Sequence, residues 1–200
     1  VQRIRGAARS ETPGGAPRSP HSVFVPRPHP PVVRHIGRQQ PGSQAIPLDQ
    51  ERVRALESVA QQNPRDAQPR MQLGNMYFDA ERYQDAIQWY EAALKLNPND
   101  VSVSTDLGVC FYYTNQPDRA VSQMEASLRI DPRHTKSLLN LGIVKAFGKQ
   151  DLAGAEAAWQ EVVRIAPDSP EGQAAKRSIA NLQAAHPGGS TVPPPGTPAA

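Results

Sequence analysis

Four prolines cut the middle of the chain at nearly equal intervals. Pro64, Pro98, Pro132 and Pro167 stand 34, 34 and 35 residues apart, inside the segments "AQQNPRD", "LKLNPND", "LRIDPRH" and "VRIAPDS". Proline has no amide hydrogen to donate, its ring collides with the preceding turn, and it pushes its predecessor out of the helical region. Each segment therefore ends a helix. A helix stopped at a fixed interval implies one structural unit written several times over.

Aligning the units on these prolines brings other residues into columns. Leu73-Gly74 matches Leu107-Gly108 and Leu141-Gly142, and Tyr77 matches Phe111. Ala86, Ala120 and Ala155 share a column, as do Tyr90, Met124 and Trp159, then Ala93, Ser127 and Val162. Within one unit, Met71, Leu73-Gly74 and Tyr77 recur at helical intervals. "DAERYQD" breaks the pattern, and Ala86-Ile87, Tyr90 and Ala93-Leu94 resume it in a second helix. Gly74 and Ala86 are small where two antiparallel helices cross, and the large residues at 77 and 90 fill the space beside them. A lone helix pair cannot bury its apolar faces, so consecutive pairs must stack into a solenoid.

On these residues the stretch 67–169 resembles three tetratricopeptide repeats. Residues 67–100 match the family pattern at Leu73, Gly74, Tyr77, Ala86, Tyr90, Ala93 and Pro98. Residues 101–134 match with Met124 and Ser127 substituted. Residues 135–169 place Lys145 at the aromatic position and carry one extra residue in "FGKQDLAGA", which predicts an altered turn. Residues 48–64, with Val53, Leu56 and Val59-Ala60 on one face, read as a leading helix. Residues 170–186 read as a capping helix with one wet face. The expectation is an all-α chain of eight helices without strands. The resemblance implies a right-handed α-solenoid of stacked antiparallel helix pairs.

The resemblance also implies a concave face made by the first helix of each pair, holding extended or helical peptides. Its expected positions are Met71, Gln72, Asn75 and Phe78, then Asp106, Val109, Tyr112 and Tyr113, then Lys136, Asn140, Ile143 and Phe147. One subtype of the family grips a C-terminal carboxylate with Lys and Asn residues. Asn75 and Lys136 match that clamp, but Asp106 stands where Asn is wanted and Asn140 where a base is wanted. An acid inside the clamp argues against that role. Aromatic side chains beside polar ones instead suit proline-rich segments, whose polyproline conformation is partly formed before binding.

Such segments occur in the chain itself. Residues 1–47 hold nine prolines, seven arginines and one acid, Glu11, for a net charge of +6. Residues 48–186 hold 15 Lys and Arg against 18 Asp and Glu, a net of −3, and 187–200 hold five prolines and no charge. Both ends are too poor in apolar residues to build a core, and read as an N-terminal arm and a C-terminal tail that are extended or disordered. "FVPRPHPPVV" (24–33) and "TVPPPGTPAA" (191–200) are candidate polyproline ligands. A basic arm on an acidic body suits an anionic partner or a neighbouring copy.

The search for chemistry finds none. A single cysteine, Cys110, excludes an internal disulfide and reads as a small buried hydrophobe inside a helix. No histidines pair at metal-ligand spacing, no phosphate-cradling motif occurs, and no cofactor is implied. The scattered arginines on an acidic body argue against nucleic acid. No apolar run reaches the length of a membrane span. A chain opening on Val1 is compatible with removal of an export signal or anchor. The Ser/Thr-and-Pro composition of the tail is compatible with an exported protein, and the expected setting is a bacterial envelope or extracellular one.

The expected function is a non-enzymatic protein-interaction module, a scaffold or assembly factor that takes peptide segments in its concave face. A second reading is a self-assembling subunit whose proline-rich tails dock on neighbouring copies in a ring or filament. A third is an interaction domain belonging to a larger enzyme or membrane-anchored protein.

Overall fold

The computed structural model describes residues 47–185. The arm and tail, with the two candidate polyproline ligands, lie outside the described residues. Eight α-helices follow one another: α1 (Gln50–Gln62), α2 (Gln68–Asp79), α3 (Tyr83–Leu96), α4 (Val101–Tyr113), α5 (Pro117–Ile130), α6 (Thr135–Ile143), α7 (Leu152–Ile165) and α8 (Pro170–Ala185). No strand occurs among the described residues. Each helix packs chiefly on its neighbours in sequence, as a solenoid requires.

The four proline corners share one hydrogen bond. The amides of Asp66, Asp100, His134 and Ser169 donate to the carbonyls of Asn63, Asn97, Asp131 and Ala166, at 3.1 to 3.3 Å. The same corners start the next helix. Asp100 Oδ1 accepts from the Val103 amide at 3.0 Å, and Ser169 Oγ from the Gly172 amide at 3.0 Å. Each cap satisfies an amide that the first turn cannot, typically worth about 1 kcal/mol. Stop and start signals are thus compressed into four residues.

Within each pair the crossing is set by a missing side chain. A Cβ on Gly74 would lie 2.5 Å from the Tyr90 ring, and one on Gly142 would lie 2.2 Å from Trp159 Nε1. At Gly108 the nearest atom is Met124 Cγ, at 3.0 Å. Tyr90, Met124 and Trp159 are all fully or almost fully buried. The Trp159 indole also donates to the Leu139 carbonyl at 3.1 Å, which satisfies its one polar group.

The third unit keeps its turn and alters its helix, contrary to the expectation of an altered turn. Glu81, Asn115 and Gln150 all adopt φ between 57° and 59°. The amides of Arg82, Gln116 and Asp151 close the three turns on the carbonyls of Tyr77, Phe111 and Lys145, each at 2.8 Å. The extra residue is absorbed in a π-helical turn, Val144–Gly148, where the Lys149 amide reaches back to the Val144 carbonyl at 3.1 Å. A longer turn would slide Ala155 and Trp159 off their packing columns. A widened helical turn leaves them in place.

Units two and three are joined by a buried string of hydroxyls. Ser127 Oγ donates to Ser104 Oγ at 2.8 Å, Gln123 Nε2 donates to Ser104 Oγ at 2.7 Å, and Thr105 and Ser137 share a 2.6 Å bond. His134 Nδ1 lies 2.7 Å from Ser137 Oγ and ends the string. At the chain's two edges, Arg70 of α2 donates to the Ala60 carbonyl of α1 at 3.0 Å, while α8 packs Ala175, Ile179 and Leu182 against the core.

Two stability predictions follow from these contacts. Gly142→Ala drives a Cβ into a rigid indole and is expected to cost about 1–3 kcal/mol in urea unfolding. Gly108→Ala meets a flexible methionine, and the better helix propensity of alanine, up to about 1 kcal/mol, offsets the strain. Equal losses would rule out ring contact as the determinant of the crossing. Burial first, then the Lys136 ammonium, hold the His134 imidazole below its ordinary value of 6.5, against smaller opposing pulls from Asp131, Asp106 and Glu171. The unfolded chain therefore binds the proton more readily. This contribution is complete above about pH 6.5 and is lost as pH falls through the depressed folded value. His134→Gln is expected to flatten the decline in Tm between about pH 7 and pH 5. An unchanged decline would assign the effect elsewhere.

Candidate functional site

The first helices of the three units, α2, α4 and α6, carry all the expected peptide-face positions except Phe147, which lies in the π-turn that continues α6. Apart from the adjacent pairs Met71/Gln72 and Tyr112/Tyr113, successive positions in each helix are three or four residues apart, which keeps them on one side at 100° per residue. Met71, Gln72 and Asn75 on α2 are half-buried, and Tyr90 donates its hydroxyl to Asn75 Oδ1 at 2.8 Å. Phe78, Asp106, Val109, Tyr112, Asn140 and Ile143 are buried, so these side chains present little or no surface. Tyr113 and Lys136 are half-buried, and Phe147 is the most exposed, at 55 %. Asn75, Phe78, Asp79, Asp106, Tyr112, Tyr113 and Asn140 all have further partners.

The charges on this face are already matched. Lys136 Nζ donates to Asp106 Oδ1 at 2.8 Å, with side-chain exposures of 16 % and 7 %. At that depth the pair is weakly screened, and separating it would leave a charge in a low-dielectric setting. The lysine that a carboxylate clamp would use is committed to an internal acid.

The aromatics form a row rather than isolated pads. The Phe78 ring meets Tyr83 edge-on with centroids 5.3 Å apart. Tyr83 stacks on Tyr113 at 4.4 Å and 11° between planes, and Tyr113 leans on Tyr112 at 5.8 Å. This row links the end of α2, the start of α3 and the end of α4. Burial, with Tyr113 beside it, pushes the Tyr112 phenol up to about 12, so it stays a neutral hydroxyl. The sequence reading missed Tyr83 because it sits in "DAERYQD", where the apolar pattern lapses. The hint was positional: it is the first residue of a second helix, as Pro117 and Leu152 are.

A separate open cleft of about 590 Å³ lies between α3 and α5, with Leu94, Leu107, Phe111 and Ile130 in its wall. Leu107 and Phe111 face away from Asp106 and Val109 on α4, so the cleft belongs to the opposite surface. Arg119 spans it, 3.1 Å from Glu91 and with its guanidinium 3.9 Å over the Phe111 ring. Among the described residues no cluster of His, Cys, Asp and Glu is placed to hold a metal, and no helix is long and apolar enough to cross a membrane. Cys110 is fully buried.

Comparison with known proteins agrees with this architecture. A TPR-repeat family model matches residues 74–116, and a tetratricopeptide-repeat model matches residues 105–170. Residues 74–170 therefore carry tetratricopeptide repeats, a fold that serves protein–protein interaction and is generally non-catalytic. A crystal structure of MamA is similar at 17% identity and a TM-score of 0.56, covering 66% of this chain and 81% of that one. The MamA RS-1 ArsTM double mutant is similar at 22% identity and a TM-score of 0.60, covering 66% and 72%. The first repeat domain of Spaghetti (RPAP3), bound to the HSP90 peptide SRMEEVD, is similar at 21% identity and a TM-score of 0.55, covering 60% and 94%. At these identities the likeness is one of fold. No curated protein sequence matches the chain.

The Lys136–Asp106 pair yields a direct test. Lys136→Met removes the ammonium from a buried carboxylate and is expected to lower stability by about 2 kcal/mol or more. Adding Asp106→Asn should recover most of that loss. Chemical unfolding that shows no recovery would mean the two side chains act independently.

Proposed function

We propose that the face carried by α2, α4 and α6 binds an extended peptide segment that is neutral or basic and contains proline. The repeat fold supports a protein-interaction role, and similar repeats in RPAP3 hold a peptide. That peptide, SRMEEVD, is acidic toward its carboxyl end. The observation that separates this chain from such a ligand is the Lys136–Asp106 pair at 2.8 Å. With the Lys136 ammonium matched internally, an incoming carboxylate would meet Asp106 and find that lysine already engaged. A polyproline segment brings no such charge and loses little conformational entropy on binding, because it is largely extended beforehand.

In this reading Tyr113 and Phe147 offer ring surface to the ligand, while Met71, Gln72 and Asn75 supply an apolar contact and amide groups at the other end. The module performs no chemistry of its own. Its specificity comes from shape and from the engagement of Lys136, at the centre of the face, with Asp106.

A peptide library displayed to the full chain is expected to yield proline-containing neutral or basic sequences. Tyr113→Ala combined with Phe147→Ala should weaken the selected peptides by about tenfold or more, since each lost aromatic contact is worth about 0.5–1.5 kcal/mol beyond its buried area. Circular dichroism should show the helicity retained. Preferential binding of acidic C-terminal peptides, or affinity unaffected by the double substitution, would overturn the assignment.

A further inference from the structure

Helices α3 and α5 each turn one stripe toward the open cleft, on the surface opposite the one proposed for peptide binding. Leu94, Lys95 and Pro98 stand on one side and Gln123, Ala126 and Ile130 on the other, with Leu107 and Phe111 of α4 buried beneath. The repeat itself explains why the groove is open here. Aligned on the prolines, Arg70, Ser104 and Leu138 share a column. In the first unit Arg70 reaches the preceding helix and corner, donating to the Ala60, Asn63 and Asp66 carbonyls. In the third unit Leu138 is buried in the core. The second unit has only the short Ser104, whose hydroxyl accepts from Gln123 Nε2 at 2.7 Å. A long side chain is missing at this junction, and the cleft of about 590 Å³ lies there.

We propose that this cleft is a second docking site, and that its occupant is an amphipathic helix of another protein with an acidic side chain beside its apolar stripe. The stripe settles between Leu94, Ala126 and Ile130, supplying from outside the kind of side chain that Leu138 supplies from within the third unit. Charge sets the acidic requirement. Glu91 is engaged by Arg119 at 3.1 Å, and Asp118 by Lys149. Lys95 is exposed one turn beyond Glu91 on α3, and among the described residues it forms no ion pair. A carboxylate on the partner completes it. The occupant is a helix because the walls are helices, whose amides and carbonyls are already paired along their own axes. An extended segment would leave its backbone groups without partners, whereas a helix arrives with its own satisfied. Along α5, Arg119 to Ile130 spans about 16 Å, the length of three helical turns. The cleft is open along its length, so it does not enclose a small molecule, which needs most of its surface covered.

The cleft shares no residue with the proposed peptide face, so this inference stands or falls separately from that reading. The two surfaces use different sides of α4: Asp106 and Val109 on one, Leu107 and Phe111 on the other. Occupation of one leaves the other accessible. A module of this kind holds a helical partner and an extended one together, and each raises the local concentration of the other.

The experiment presents the full chain with a display library of alanine-based helical peptides of about 14 residues, randomised along one face. Selection is expected to enrich large apolar residues at intervals of three and four, with Asp or Glu beside them. One selected peptide, fluorescently labelled, is then titrated with the natural chain and three variants. Ser122→Arg combined with Ile130→Asp, both at exposed positions on the cleft wall, should weaken it about tenfold or more. Lys95→Glu should weaken it about threefold or more, and exchanging the peptide's acids for lysine should restore the affinity. Tyr113→Ala combined with Phe147→Ala should leave it unchanged, and circular dichroism should show each variant as helical as the natural chain. Selection of no helical peptide, or binding that ignores the cleft substitutions, would overturn the proposal. Loss on Tyr113→Ala with Phe147→Ala in place of the cleft pair would assign helical ligands to the other face and overturn it too. A dimer of the natural chain in sedimentation, broken by Ser122→Arg with Ile130→Asp, would make a second copy the occupant and overturn the assignment to a separate partner.

Discussion

The fold depends on three contacts in which a glycine of one helix receives a large side chain of the next. Gly74 against Tyr90, Gly108 against Met124 and Gly142 against Trp159 leave no room for even a methyl group at the first and last of these. Because the backbone itself is the packing surface, each pair can close to one distance and one angle only. Every later feature inherits that geometry. The corners fall where they do because the paired helices are of fixed length, and the face proposed for peptide binding is the one that the first helices present.

Stacking adds a second constraint, and it is polar. Ser104, Thr105, Ser127 and Ser137 place hydroxyls where apolar side chains would also fit by volume. Buried hydroxyls cost stability unless each finds a partner, and a network of them is satisfied in only one register. Units two and three are thereby fixed against sliding or rotation. The same junction carries the Lys136–Asp106 pair and His134.

The helix count, the corners and the small–large columns were legible in the sequence because they repeat. Periodicity averages out local ambiguity: Asn97-Pro98 alone says only that a helix stops, whereas four such stops define the unit. What was not legible is what happens only once. Tyr83 lies in a stretch without apolar pattern, and its stacking on Tyr113 follows from the path of the turn. Ser127 was visible as a departure from a column, but its side-chain hydrogen bonds depend on Ser104 and Thr105 of another helix. The extra residue of the third unit was counted correctly and located wrongly, since sequence spacing cannot tell a longer turn from a wider helix. Of the expected peptide-face residues, periodicity chose the side of each helix. It could not show that Val109, Tyr112 and Asn140 are closed to solvent while Phe147 is open.

The π-turn at Val144–Gly148 has a consequence for how such an array diversifies. Point substitution can change the identity of a side chain but not the direction in which it leaves the helix. One inserted residue, held within a single turn, swings the positions after it around the axis by about 100° and then restores the original register. In the third unit the widened turn carries Phe147, whose ring is largely exposed. An insertion of this kind is a way to make identical modules look outward differently while remaining interchangeable within.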